Sequence, residues 1–208
     1  RYAIDNDIRI TSHPGPFNVL TSPHEHVVEN CINDLSIHGE VFDLMNLSRT
    51  PYNKINIHIG GAYGDKVSSM ERFCENFHRL PDSVKTRLTV ENDDNATMYS
   101  VKDLYEGVYC KIGIPIVFDY HHHRFCTGGL SEEDALEVAI STWGDVVPVV
   151  HYSESRNIEQ EDDKIRPQAH SDYVRDYIDT YGNRVDIMVE AKHKELAVLK
   201  YKEIHEIV

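Results

Sequence analysis

The chain has 208 residues, 40% of them hydrophobic, with a formal charge of −14 and thirteen histidines. That length suits one domain with one substantial core, and the absence of an apolar run of about 18 residues excludes a transmembrane helix. The negative charge argues against binding nucleic acid through a generally basic surface. It leaves room for a local basic face, or for acids that hold metal ions.

Cys31, Cys74, Cys110 and Cys126 lie far apart with no C-x-x-C pair, the pattern of reduced thiols in an intracellular protein. The first seven residues form neither a basic nor an apolar leader region, so no signal peptide is expected. The chain opens inside a helix-like pattern without Met, which suggests an N-terminus cut from a longer protein.

Ile8–Thr11 is the first of six short apolar runs predicted as strands. Ser22-Pro-His-Glu25 then offers an N-cap, a Pro at the first helical position and a Glu to close a capping box. Val28, Cys31, Leu35, His38, Phe42 and Met45 follow at helical spacing, so His38 is read as a buried structural histidine. Ile55–Ile59 is the second run. The flexible stretch Gly60-Gly-Ala-Tyr-Gly-Asp-Lys66 follows it directly. A helix with Val67, Met70, Phe73, Phe77 and Leu80 on one face comes next. Leu88–Val90 is the third run, and Ser100-Val-Lys-Asp103 caps the helix after it. Ile114–Phe118 is apolar without alternation, as in a strand buried on both faces. Ser131-Glu-Glu-Asp134 starts another helix. Val146–Val150 is the fifth run, and the loop from 152 to 169 is long enough to suggest function or disorder. A helix is predicted over 172–181, stopped by Gly182 and Asn183. Val185–Val189 is the sixth run, and a last helix runs from about 192. Strands alternating with helices imply a parallel sheet with right-handed crossovers, in one domain over 1–208.

Each run delivers a metal-competent residue at its carboxyl end: His13, His58, Glu91, Asp119 with His122, His151 and Glu190. One such residue has a dull explanation; six in six do not. In a closed parallel barrel those ends meet in one ring, where such barrels keep their active sites. Unpaired, that ring would be expensive to bury, and divalent cations are the simple remedy. Imidazoles with carboxylates point to Mn²⁺, Zn²⁺ or Fe²⁺ rather than Mg²⁺ or Ca²⁺ alone. The ligands exceed one ion's needs. Ions about 3.5–4 Å apart suit phosphodiester hydrolysis. His121 and His123 are expected behind the ligands or at the surface, and His24, His26, His78, His193 and His205 at the surface.

Ser12-His-Pro-Gly15, Asn56-Ile-His-Ile-Gly-Gly61 with Tyr-Gly-Asp-Lys66, Thr89-Val-Glu-Asn-Asp-Asp94, Val117-Phe-Asp-Tyr-His-His-His123 and Met188-Val-Glu-Ala-Lys192 together resemble the UV damage endonuclease family. The likeness covers nearly the whole chain. It implies a TIM (β/α)8-type barrel related to the apurinic-site endonucleases, with six βα units here and two more before Arg1. It implies nicking of duplex DNA 5′ to ultraviolet photoproducts, cyclobutane pyrimidine dimers and 6-4 products, leaving a 3′ hydroxyl and a 5′ phosphate for excision repair. The cofactor implied is a manganese-type cluster of up to three ions, with Zn²⁺ as the alternative. By analogy His13, His58 and Glu91 hold the first ion. Glu91, Asp119, His151 and Glu190 hold the second, and His122 and His170 the third. Glu91, Asp119 and Glu190 take the catalytic roles.

The family pattern is broken where Pro16 replaces a glutamine and Phe17 keeps only the aromatic of a lesion-probing pair. Phe17 could still wedge into a base step. Val149 stands where the family can place a lysine near the metals. Lys66, Arg124 and Lys192 are the phosphate-contact candidates. A monomer acting on lesion-bearing DNA, away from membranes, is expected. The competing readings are another divalent-metal barrel enzyme, such as an apurinic-site endonuclease or sugar isomerase, and a non-catalytic lesion binder.

Overall fold

The computed structural model describes residues 2–207. Five strands form one sheet: β1 (Ile55–Ile57), β2 (Leu88–Glu91), β3 (Ile116–Asp119), β4 (Val149–Tyr152) and β5 (Asp186–Val189). Every neighbouring pair is parallel and the spatial order follows the chain. β1 to β4 are buried throughout, as their β-branched sequences demand. β5 is the open edge, with Ile187 and Met188 partly exposed.

The sheet curls into a half-barrel. Laid flat, β1 and β5 would stand about 19 Å apart, at roughly 4.8 Å per strand. Yet Arg9, next to β1, donates to the carbonyls of Pro51 and Tyr52. The same guanidinium reaches the Val147 carbonyl and, at 2.8 Å, the Asp186 carboxylate of β5. One side chain spans that gap only if the sheet bends round on itself.

Helices cover the convex side. Glu25–Leu44 buries Val28, Cys31, Leu35 and Phe42. Lys66–Phe77 buries Met70, Phe73 and Phe77, and is capped by the Asp65 side chain, which accepts from Ser68 N. Val101–Leu104 begins with a full capping box between Ser100 and Asp103, and runs on through a π-helical turn, Tyr105–Tyr109. Glu132–Ser141 is capped by Ser131 and packs on β3. Glu195–Ile204 closes the chain. Deep in the helical layer Arg87, with no exposed surface, donates to the carbonyls of Gly39, Leu47, Ser48 and Ser83 and to Asp43. Its guanidinium thereby ties the end of the first long helix to the turn before β2.

Four expectations need correction. The first run, Ile8–Thr11, is not a strand: it meets β1 only through a bridge at Ser12, with Ser12 N donating to Lys54 O and Asn56 N to Ser12 O. The helix after it starts at Glu25 with His24 as an uncapped N-cap; the Ser22 hydroxyl accepts from His24 N instead. His38 is half-buried rather than core, paired with the Ser12 hydroxyl at 2.9 Å. The predicted helix over 172–181 is absent. There the Glu159 carboxylate takes the amides of Asp172 and Tyr173, and Glu154 those of Arg175 and Asp176. Those donors are satisfied without helical carbonyls, and Val174 and Ile178 still reach the core.

Candidate metal centre

The carboxyl ends of the strands converge on Glu91, the last residue of β2, which has no exposed surface. One carboxylate oxygen, Oε2, lies 3.2 Å from His13 Nε2 and 3.2 Å from His151 Nδ1. The other, Oε1, lies 3.4 Å from His122 Nδ1 and 3.9 Å from His58 Nε2. The strand pleat sets this pose, and the neighbouring strand locks it: Thr89 Oγ1 donates to Asn56 Oδ1, which turns the Asn56 amide onto Glu91 Oε2.

Asp119 ends β3 and is equally buried. Its Oδ1 caps the turn Tyr120–His123 by accepting from His122 N, while Asn92 clamps its backbone from both sides. That leaves Oδ2 4.0 Å from His122 Nδ1. His151 sits within β4, not after it, and its Nδ1 is 3.0 Å from Glu190 Oε1. Glu190 Oε2 lies 3.6 Å from His170 Nδ1, and His170 is fixed by a bridge to Ser155. His58 Nδ1 has Asp93 Oδ1 at 3.1 Å. His122 Nδ1 is 2.9 Å from the Asn92 carbonyl, which can only accept, so Nε2 is its free nitrogen.

Despite these short distances, Glu91 Oε1, Asp119 Oδ2, His58 Nδ1 and His151 Nδ1 are buried without a properly directed hydrogen bond. Polar atoms taken out of water normally find partners. Glu91 Oε1, Asp119 Oδ2 and His151 Nδ1 belong to residues that cluster together, while His58 Nδ1 faces Asp93. Three triads place ligand atoms within 4.8 Å of one another: His13–Glu91–His151, His58–Glu91–His122 and Asp119–His151–Glu190. A nitrogen and oxygen set of this kind fits a borderline divalent ion. The grouping differs from the expected one, since His58 pairs with His122 rather than with His13. His170 belongs to no triad.

The charges are strongly interdependent. Burial alone would raise Glu91, but the imidazoles of His151 and His58 hold it well below the usual carboxylate range. Against their own burial, the Glu91 charge lifts His58 and His151 to about 9. Burial pushes Asp119 up to about 6, with His122 opposing. Glu190 falls to about 2, where its hydrogen bond and charge contact with His151 overcome burial. Burial brings the Lys54 amine down to about 8, opposed by Glu91 and Glu190.

A cavity of about 640 Å³ opens beside this cluster, lined by His13, His58, Glu91, His122, His170 and Glu190 and walled by Pro14 to Pro16. Phe17, 87% exposed, directly follows this wall and borders a separate groove with Asn30, Cys31 and Asp34. Arg124 and Lys192 are exposed. Lys66 is instead bound to Asp103 at 3.1 Å, the carboxylate that caps the next helix. His121 and His123 are buried, with His121 packed edge-on against Phe125 and His170. Val149 packs with Val117 and Trp143. Sequence reasoning missed Asn56, Thr89 and Asn92, which aim the ligands, and Lys54, which reaches His151. Alternation along β1 and β2 puts Asn56 and Thr89 on neighbouring positions, and that was the available signal.

Comparison with known proteins matches residues 1–207 to the model of the family described as UV-endonuclease UvdE. A UV DNA damage endonuclease of Bacillus cereus (strain Q1) is 35% identical over 215 residues, covering 98% of this chain and 63% of that protein. The chain thus spans a little under two thirds of the length of that curated relative. The crystal structure of SacUVDE superposes with a TM-score of 0.83 at 35% identity, over 99% of this chain and 68% of that one. D-psicose 3-epimerase from Clostridium cellulolyticum H10 superposes with a TM-score of 0.56 at 16% identity, over 73% of this chain and 55% of the other, a likeness of fold alone.

Proposed function

The chain belongs to the UV-endonuclease UvdE family, and on that premise we propose that it carries the metal centre of an endonuclease that nicks duplex DNA 5′ to ultraviolet photoproducts. The products would be a 3′ hydroxyl and a 5′ phosphate. One observation carries the reading: Glu91 and His151, each common to two of three ligand triads, link all three into one cluster beside an open cavity that Glu91 lines. Such sharing brings ions close together, as phosphodiester hydrolysis requires. When bound, the ions would supply hydroxide from water and stabilise the leaving oxygen. The mixed imidazole and carboxylate set accepts either Mn²⁺ or Zn²⁺, and the family resemblance favours Mn²⁺.

The chain's own residues do the rest. Glu91, Asp119 and Glu190 bring the negative charge that attracts the ions, and Glu91 bridges two of the triads. Asn56 keeps the Glu91 carboxylate from turning away, and Asn92 fixes the Asp119 backbone while His122 N holds its Oδ1. His170, at the cavity wall beside Glu190, is the ligand we assign to an ion shared with His122. Phe17 is placed to wedge into a base step at the lesion, and Arg124 and Lys192 to meet phosphates. Pro16 offers the DNA no side-chain hydrogen bond. We take the curled five-stranded sheet as part of a (β/α)8-type barrel that acts as a monomer. Among the described residues no helix is long and apolar enough to cross a membrane.

Supercoiled plasmid, irradiated or intact, tests the reading with Mn²⁺ and with a chelator. Nicking confined to irradiated DNA with metal is the expected outcome. Equal nicking of both plasmids, or nicking that survives the chelator, contradicts it.

A further inference from the structure

The loop over 13–17 begins with the candidate ligand His13 and ends with the exposed Phe17. Both of its flanks are tied to one face of the helix Glu25–Leu44. Before the loop, Ser12 Oγ lies 2.9 Å from His38 Nδ1. After it, Asn18 Nδ2 donates to Asp34 Oδ2 at 2.8 Å. His38 and Asp34 stand one helical turn apart, with His38 Nε2 3.9 Å from the same Oδ2. The two flanks do not depend equally on the helix. Ser12 is also moored to the sheet, donating to Lys54 O and accepting from Asn56 N. Asn18 is 5% exposed, and its backbone N and its Nδ2 both donate back into the loop, to Gly15 O at 3.3 and 3.2 Å. The chain is core again only at Leu20. Pro14 and Pro16 restrict φ inside the loop, so holding both flanks leaves little freedom to the backbone at Phe17.

We propose that Asp34 is a positioning residue for Phe17: by holding Asn18, its carboxylate keeps the aromatic just before Asn18 at a fixed place beside the metal cavity. This rests on the reading of Phe17 as a wedge given above. Asn18 lines both that cavity and the groove beside Phe17, which Asp34 also lines. A ring that enters a base step from a pre-set backbone loses less freedom on binding than one on a mobile loop. Without the tie, the duplex would have to order the loop as well as accept the ring. Asp34 acts here through Asn18 and needs no contact with DNA or with an ion.

Asp34→Ala removes the acceptor, and Asp34→Asn keeps one. In the full chain, hydrogen exchange at the Asn18 amide should speed about 10-fold in Asp34→Ala. That is the low end for a hydrogen bond to a charged group, chosen because the Asp34 side chain is 53% exposed. Exchange in Asp34→Asn should stay near wild type. In a binding assay Asp34→Ala should narrow the preference for irradiated over intact duplex about 5-fold, the least that losing a base–aromatic contact costs. Combined with Phe17→Ala, it should add little to the loss from Phe17→Ala alone, because one residue acts through the other. Losses that add in full overturn the proposal. So does a lowered unfolding midpoint with an unchanged preference, the mark of a merely structural carboxylate. Wild type without a preference, or Phe17→Ala that keeps it in full, defeats the wedge reading itself; unchanged exchange at Asn18 defeats the role of Asp34 alone.

Discussion

Replacing Glu91 by Gln should nearly abolish the stabilisation contributed by each ion that Glu91 holds, and leave that of the Asp119–His151–Glu190 triad, which lacks it. The carboxylate belongs to two of the three triads and has no exposed surface, so no water can substitute for it without repacking. At a free Mn²⁺ concentration 100 times its dissociation constant, an ion that binds only the folded state adds about 2.7 kcal/mol. For a chain of this size each kcal/mol moves the midpoint by about 2–4 °C, so wild type should gain roughly 5–11 °C from each such ion. Loss of a shared ligand should cost at least the 100-fold at the top of the range for partners one shell further out. The same Mn²⁺ concentration then sits near the variant's dissociation constant and adds about 0.4 kcal/mol, a shift of about 1 °C. Differential scanning calorimetry with and without Mn²⁺ measures both gains. A variant that gains as much as wild type would show that Glu91 holds no ion, and the reading of the site would fall with it.

Thr89→Val removes the bond that aims Asn56 and leaves a buried amide oxygen unpaired, so it should cost about 1–3 kcal/mol; urea unfolding checks this, and an unchanged midpoint refutes it. Without metal, stability should depend on pH through His151 and Glu190. The folded-state value for His151, about 9, lies above the ordinary value of 6.5, so its contribution is complete below 6.5 and disappears as pH rises through 9. The value for Glu190, about 2, lies below 4.5, so its contribution is present above 4.5 and is lost as pH falls through 2. Midpoints in chelator should therefore decline from pH 6.5 to 9, and a flat profile there counts against the coupled charges. Phe17→Ala, at a residue 87% exposed, should change stability by less than about 0.5 kcal/mol while narrowing the preference for irradiated over intact duplex in a binding assay. Arg124→Gln and Lys192→Gln should each lower the salt dependence of DNA binding by about one ion, whereas Lys66→Gln, already tied to Asp103, should change it less.

The strands were legible because burial on both faces demands unbroken β-branched runs, and Ile116 to Phe118 or Leu88 to Val90 admit little else. The cluster of candidate ligands was legible because the chemistry allows few residue types at a strand's end. What escaped the sequence is non-local. Ile8–Thr11 looks like a strand, but strand formation depends on a continuous ladder, and this stretch meets β1 only at Ser12. The stretch from 172 to 181 carries helical spacing, yet two glutamates far back in the chain compete for its amides. Lys54 reads as an ordinary loop cation until the sheet closes and brings His151, 97 positions away, within reach. The grouping of the candidate ligands was also hidden, because the curvature that brings His58 and His122 to one side of Glu91 is a property of the assembled sheet.

Arg9 gives that curvature a mechanical meaning. A curved sheet is a spring, and small rotations at its four strand junctions add up. The guanidinium that joins Pro51 and Tyr52 to Asp186 works as a tie-rod across the floor, while the ligand atoms stand at the opposite rim. Loosening the rod at the base would spread the rim, so a substitution that touches no ligand could detune the spacing of every one.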